Sequence, residues 1–281
     1  MARDDVRSVG ENNQVNSLDG KIALVTGAAI GIGAATARMM AEVGASVILA
    51  DVRDVEGAAV ADEIVQAGGT AHYIHLDVGS QAHWMAAVAL AEQLFGGLDI
   101  LVNNAGILFG RDVEEASLED WQAMSAVNQQ GVFLGTKHAL PALRARGRTS
   151  PEGSAIVNLS SVSGLVGSPV DPLYSMTKGG IALFTKSTAL AFGRQGYRIR
   201  VNAVHPGVIE TAQGRQTFAA RARKLPSGDV AEARALALAN HPIGRFGTVE
   251  DVAKAIIFVA SDDAGFMTGS SLVIDGGLTA Q

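Results

Sequence analysis

Short, continuously apolar runs rich in β-branched residues alternate with Ala-rich stretches of helical length from Lys21 almost to the end of the chain. The runs are Ile22–Thr26, Ser46–Asp51, Ala71–Asp77, Leu98–Asn103, Ala155–Ser160, Arg200–Val204 and Ser271–Ile274. Ile22–Val25 and Ile100–Val102 contain no polar position, the pattern of strands covered on both faces. Strand followed by helix, repeated, predicts an α/β fold: a parallel sheet of about seven strands with helices on both faces. Two helix starts are explicit, because Ser117 with Asp120 and Thr248 with Asp251 each set a capping hydroxyl three residues ahead of an acid. Residues 1–18 carry no periodicity and read as a flexible arm. No repeat or linker interrupts residues 19–281, which read as one domain. One stretch departs from the rhythm: Thr211–His241 holds Arg215, Arg221, Arg223, Lys224 and Arg234 among alanines, with Pro226-Ser227-Gly228 in the middle. It predicts one or two short helices, read either as a solvated amphipathic insertion or as a lid over about 208–241.

Composition narrows the chemistry. In 281 residues, 48 % hydrophobic and 18 % charged positions give a chain able to bury a large core. The formal charge of −6 and the lack of a dense basic run leave no footprint for nucleic acid. With no cysteine, disulfides, thiolate metal sites and thiol nucleophiles are excluded. The six histidines form no ligand spacing, and no metal is expected. The polar start has no signal-like apolar stretch and no run approaches 18 apolar residues, so a cytoplasmic chain with no membrane contact is the expectation.

The first strand runs into Thr26-Gly27-Ala28-Ala29-Ile30-Gly31-Ile32-Gly33 and a helical stretch from Ala34. Gly27 can turn sharply, Gly31 lets backbone approach a pyrophosphate, and Gly33 lets helix pack on strand, with the phosphates at the helix N-terminus. Asp51 ends the second strand 18 residues past Gly33, near the offset of a carboxylate that bonds a ribose diol. A 2′-phosphate about 4 Å from that carboxylate would cost on the order of 4 kcal/mol at an effective dielectric near 20, so NAD is expected over NADP.

Tyr174 and Lys178 stand four apart, on one face of a predicted helix. Ser161 closes a strand-like run thirteen residues before Tyr174. Its neighbour Ser160 competes for the inward position, since successive strand residues face opposite ways. With Asn103-Asn104-Ala105-Gly106, Asn128 within Val127–Phe133, and Pro206-Gly207, these motifs make the chain resemble the short-chain dehydrogenase/reductase family from about Leu18 to Gly277. The resemblance implies a doubly wound Rossmann domain, with Tyr174 as general acid/base and Lys178 lowering the phenol's pKa and holding the nicotinamide ribose. It further implies that Ser161 bonds the substrate oxygen and Asn128 holds a proton-relaying water. For Asn128 a side chain bonding backbone at a helix kink is the structural alternative. A phenol near 10 needs a shift of roughly 3 units, about 4 kcal/mol, to act as a base at neutral pH.

By the same resemblance Gly27, Gly31, Ile32, Gly33 and Asp51 bind the cofactor, Asp77 and Val78 border its adenine, and Asn104, Ala105 and Gly106 form a floor. Pro206, Gly207, Ile209 and Thr211 meet the nicotinamide end. The stretches Asp120–Arg146 and Tyr174–Arg194 match the family's oligomer-forming helices, so a homotetramer is expected. The tail Leu278–Gln281 is similar to that of family members carrying a structural Mg²⁺, four residues on which no metal is assigned. Val162–Leu173, Leu108, Phe109 and Val208 are apolar for the most part and suit a hydrophobic secondary alcohol or ketone, hydroxysteroids among them. Asp171, polar among them, reads as a helix cap, and His205 as a satisfied strand-end side chain or a substrate contact. Two rivals stand beside the NAD-dependent dehydrogenase: an NADPH-dependent 3-oxoacyl thioester reductase, and a dinucleotide-binding scaffold without catalysis.

Overall fold

A computed structural model describes residues 15–280. The elements follow in order: β1 Ile22–Thr26, α1 Gly31–Glu42, β2 Ser46–Asp51, α2 Asp54–Gln66, β3 Thr70–His75, α3 Gln81–Phe95, β4 Ile100–Asn103, α4 Leu118–Ser125, α5 Gly131–Gly147, β5 Ser154–Leu159, α6 Pro172–Arg194, β6 Ile199–Pro206, α7 Ala212–Ala222, α8 Val230–Ala239, α9 Val249–Ala260 and β7 Ser271–Ile274. All seven strands pair in parallel, in the order β3-β2-β1-β4-β5-β6-β7. The doubly wound sheet expected from the alternation is therefore present.

Period-two packing explains the continuous apolar runs. Ala23 and Val25 of β1, with Val47 and Leu49 of β2, face α1, α2 and α9, meeting Met40, Ile64 and Ile256. Their neighbours Leu24, Ile48 and Ala50 face α3, α5 and α6, meeting Trp84, Leu143 and Phe192. One face per residue leaves no position for a polar side chain. Both expected capping boxes form, on α4 at Ser117 and on α9 at Thr248.

Boundaries shift where side chains intervene. β4 begins at Ile100 because Asp99, the second residue of the run expected to start at Leu98, turns its carboxylate to the Ile22 N–H and the Arg146 guanidinium. Of the arm expected over residues 1–18, residues 1–14 lie outside the described residues, while Leu18 is fully buried and its N–H donates to Val43 O at 2.8 Å. The stretch after β6 forms two short helices, α7 and α8, within the expected lid.

The sheet order reverses direction between β1 and β4, and a crevice at the carboxyl ends of the strands is the binding place such a reversal creates. β1 and β4 deliver the glycine-rich turn and Asn104 to it, and β5 and β6 deliver Ser161 and the segment after Pro206.

Candidate active site

The glycine-rich turn has no room for side chains at Gly27 and Gly33. Gly27 has φ +64°, and a Cβ on Gly33 would lie 2.1 Å from Gly27 O, so helix α1 meets β1 only through glycine. Gly31, at φ +58°, faces open space bounded by Thr211 Cγ2 at 3.7 Å from its would-be Cβ. Ile30 gives α1 no side-chain cap, so the N–H groups of its first turn stay directed at that space, with Ile32 in the same turn. Asn104 braces the turn from below: Nδ2 donates to Thr26 O at 2.8 Å and to Gly27 O at 3.2 Å. Its N–H and that of Ala105 donate to Thr26 Oγ1.

Asp51 is buried at the end of β2. Its carboxylate accepts from the Ala29 N–H at 2.9 Å and the Arg53 N–H at 3.0 Å, which ties the glycine-rich turn to the start of α2. Asp77 is exposed and Val78 buried just beyond β3, with Asp77 Oδ1 accepting from the Gly79 N–H. Across the sheet, Gly207 N–H donates to Ile274 O, Ile209 is buried against Gly247, and Thr211 caps α7 by accepting from the Gly214 N–H. A phosphate cradle, an uncapped helix start and a carboxylate at the strand end thus sit around one opening, which fits a dinucleotide.

Helix α6 carries Tyr174 and Lys178, the groups expected to react. Asp171 caps it and Pro172 opens it, a strong local start signal. Tyr174 and Lys178 fall on one face, with Lys178 Nζ 5.5 Å from the Tyr174 ring centroid. Ser160 Oγ donates to Lys178 O at 2.9 Å and is buried against α6, while Ser161 Oγ accepts from the Ser163 N–H at 3.1 Å and lies close enough to Tyr174 to lower its pKa. Behind it His205 Nδ1–H donates to Ser161 O at 3.0 Å, and Nε2 finds no partner among the described residues. His205 therefore supports Ser161 from the buried side; burial keeps it below its ordinary pKa.

Burial pushes the Tyr174 hydroxyl up to about 12; the Ser161 hydrogen bond opposes that rise and the negative charge of Asp171 adds to it. Burial pushes the Lys178 ammonium down to about 8. Its Nζ donates to Leu159 O at 2.7 Å. Desolvation is the largest influence on the phenol, and the hydrogen bond that opposes it comes from Ser161 rather than from Lys178.

Asn128 sits in a π-helical turn, Ala126–Gln130, between α4 and α5. Oδ1 accepts from the Ile107 N–H at 2.8 Å, and Nδ2 donates to Ile107 O at 2.9 Å and Thr177 Oγ1 at 3.1 Å. The kink-bracing alternative for this residue is what these contacts describe. Lys178 Nζ and Asn128 Oδ1 both come within 3.4 Å of the point that a Cβ on Gly106 would occupy.

Asp171 does more than cap. Oδ1 accepts from the Tyr174 N–H at 3.0 Å, and Oδ2 accepts from the N–H groups of Phe109 and Gly110 at 3.1 and 2.7 Å. Gly110 O in turn accepts from Arg223 at 2.6 Å, and Lys224 pairs with Asp112 and Glu115. Sequence alone signals the cap; the partners of Oδ2 lie some sixty residues away and have no local signature. Among the described residues no group of histidines and carboxylates could hold a metal, and no helix is long and apolar enough to cross a membrane.

Comparison with known proteins gives the same picture of relatedness along the whole domain. A family model described as enoyl-(acyl carrier protein) reductase matches residues 27–279. Trans-4-hydroxycyclohexanecarboxylate dehydrogenase of Sinomonas cyclohexanicum is 39 % identical over 266 residues, covering 92 % of this chain and 93 % of that protein. Cyclopentanol dehydrogenase of Comamonas sp. (strain NCIMB 9872) is 40 % identical over 260 residues, 92 % of this chain and 97 % of that one. The 3-alpha-(or 20-beta)-hydroxysteroid dehydrogenase of Mycobacterium bovis is 40 % identical over 263 residues, with 94 % and 91 % covered.

Proposed function

Since the chain belongs to the short-chain dehydrogenase/reductase family and acts as an oxidoreductase on secondary alcohols, we propose that it is an NAD-dependent dehydrogenase of hydrophobic, cyclic alcohols with Tyr174 as its general acid/base. The observation that carries the reading is the convergence of Tyr174, Ser161 and Lys178 at the carboxyl ends of β5 and β6, beside the phosphate cradle.

A bound nicotinamide would supply the acceptance and return of hydride, and its positive charge in the oxidised form would favour phenolate over phenol at Tyr174. Ser161 holds the substrate oxygen beside the Tyr174 hydroxyl, so proton transfer needs no reorientation. With its pKa raised, Tyr174 is protonated at neutral pH, the state that donates to a ketone. Lys178, nearly buried at 3 % exposure and held by Leu159 O, keeps its ammonium facing the ribose position and the phenol. One water over Gly106 would bridge Lys178 Nζ and Asn128 Oδ1, giving the proton a way out; a side chain at 106 would fill that space. Asp51 keeps oxygen lone pairs for a ribose diol while repelling a 2′-phosphate, which favours NAD. The α5–α6 face bears exposed Phe133, Met176, Leu183 and Leu190 and a groove of about 380 Å³ lined by Gln129, Phe133 and Phe184, features that support a homotetramer.

Tyr174→Phe tests the reading. Turnover of cyclopentanol with NAD⁺, followed by NADH absorbance, should fall at least about a thousandfold, with the Kd for NADH changed by less than about threefold. Undiminished turnover refutes it.

A further inference from the structure

The lid carries one sheltered cation with nothing to balance it. Arg221 makes no ion pair, hydrogen bond or ring contact with any described residue, and its Nε is closed off from solvent. Of the other four cations in the insertion three are engaged, Arg223 with Gly110 O, Lys224 with Asp112 and Glu115, and Arg234 with Glu210, while Arg215 is exposed to solvent. Burial lowers the Arg221 pKa with no opposing carboxylate.

The helix geometry says where it points. Phe218 packs on Phe246, ring centroids 5.1 Å apart, while the Ala220 Cβ lies 2.6 Å from the would-be Cβ of Gly110. At about 100° per residue those two directions are nearly opposite, and Arg221 falls in the sheltered arc between them. Ala212, Arg215, Gln216, Ala219 and Arg223 occupy the other, exposed arc. Arg221 therefore lies on the underside of the lid, between the Phe246 wall and the loop that Asp171 holds beside Tyr174. The start of α7, at Thr211, touches the phosphate turn, and ten residues at 1.5 Å each set Arg221 about 15 Å further along, too far for a cofactor phosphate.

We infer that Arg221 reads a carboxylate on the far end of the alcohol substrate, making the preferred substrate an anionic hydroxy acid with an apolar ring between its two polar ends. The inference rests on the proposed dehydrogenase reading. A planar guanidinium with free donors matches a carboxylate in a bidentate fork, and leaving it unpaired under a lid costs stability that a purely structural arginine would not.

The experiment compares trans-4-hydroxycyclohexanecarboxylate with its neutral carboxamide in the parent enzyme, Arg221→Met and Arg221→Lys. A charge-assisted pair of this kind corresponds to about 10–150-fold. The parent should prefer the acid in kcat/KM by a factor in that range; Arg221→Met should lose the preference through KM with kcat nearly unchanged, and Arg221→Lys should recover part of it. Cyclohexanecarboxylate, which cannot react, should bind the NADH complex of the parent and not of Arg221→Met in calorimetry. Free Arg221→Met should melt about 2 °C or more above the parent, because an unpaired sheltered charge has gone. Equal use of acid and amide by the parent, equal losses for both in Arg221→Met, or a lower melting point overturns the inference. Turnover surviving Tyr174→Phe would instead overturn the dehydrogenase reading itself.

Discussion

Asp171 joins three parts of the site through a single buried carboxylate, at 6 % exposure, and each join can be broken separately. Oδ1 caps the helix that carries Tyr174; Oδ2 holds the Phe109–Gly110 loop, which Arg223 then links to the end of α7. Asp171→Ser keeps a capping oxygen, since serine caps about as well as aspartate, but leaves the loop N–H groups without an acceptor. Two such groups at about 1–2 kcal/mol each give a loss of about 3 kcal/mol, or a fall of about 5–10 °C in Tm. The loss is concentrated at the Phe109–Gly110 loop, so, on the proposed reading, KM for the alcohol should rise about tenfold or more while the Kd for NADH stays put. Protease cleavage near Arg111 should appear in the variant and not in the parent. The charge has its own signature. Ser161, Lys178 and Asp171 are the polar and charged groups facing Tyr174, and Asp171 is the one that raises its pKa by charge. Without that charge tyrosinate forms at lower pH, so the acid limb of alcohol oxidation moves to lower pH in Asp171→Asn. Ketone reduction, which uses the protonated phenol, then declines at lower pH as well. Asp171→Glu keeps the charge and misplaces it, so KM should rise with the limb little moved. A parental KM and Tm in Asp171→Ser, or a limb displaced to higher pH in Asp171→Asn, refutes this account.

Asp51→Ser should raise the NADPH-to-NADH ratio of kcat/KM by about a hundredfold, read in paired titrations. NADH affinity should fall too, because the N–H groups of Ala29 and Arg53 lose their shared carboxylate. Gly33→Ala should abolish measurable dinucleotide binding with far-ultraviolet dichroism retained, since its Cβ would sit 2.1 Å from Gly27 O at the turn itself; tight binding in the variant would contradict the close approach of α1 to β1.

The layout of the sheet was legible because burial on both faces leaves a one-dimensional trace: Leu24 and Val25 need opposite neighbours but the same kind of neighbour. Helix starts at Ser117, Asp171 and Thr248 were legible for a related reason, since each cap bonds an N–H within three residues. What stayed hidden depends on pairings far apart in sequence. The offset of thirteen residues selects Ser161 over Ser160, but that Ser160 spends its hydroxyl on Lys178 O is not encoded locally. The start of β4 turns on Asp99 meeting Ile22 and Arg146. The phenol's pKa turns on how completely α6 and its surroundings exclude water, which the spacing of Tyr174 and Lys178 does not encode. Arg221 is the extreme case. In the sequence it is one of five cations along the insertion, indistinguishable from Arg223 two positions on; only the phase of α7 separates the residue that bonds Gly110 O from the one left without a counter-charge among the described residues. The motifs name residues that any chemistry of this type requires, whereas selectivity lies with residues whose roles are fixed by direction, and direction emerges only when the helix has been set against its neighbours.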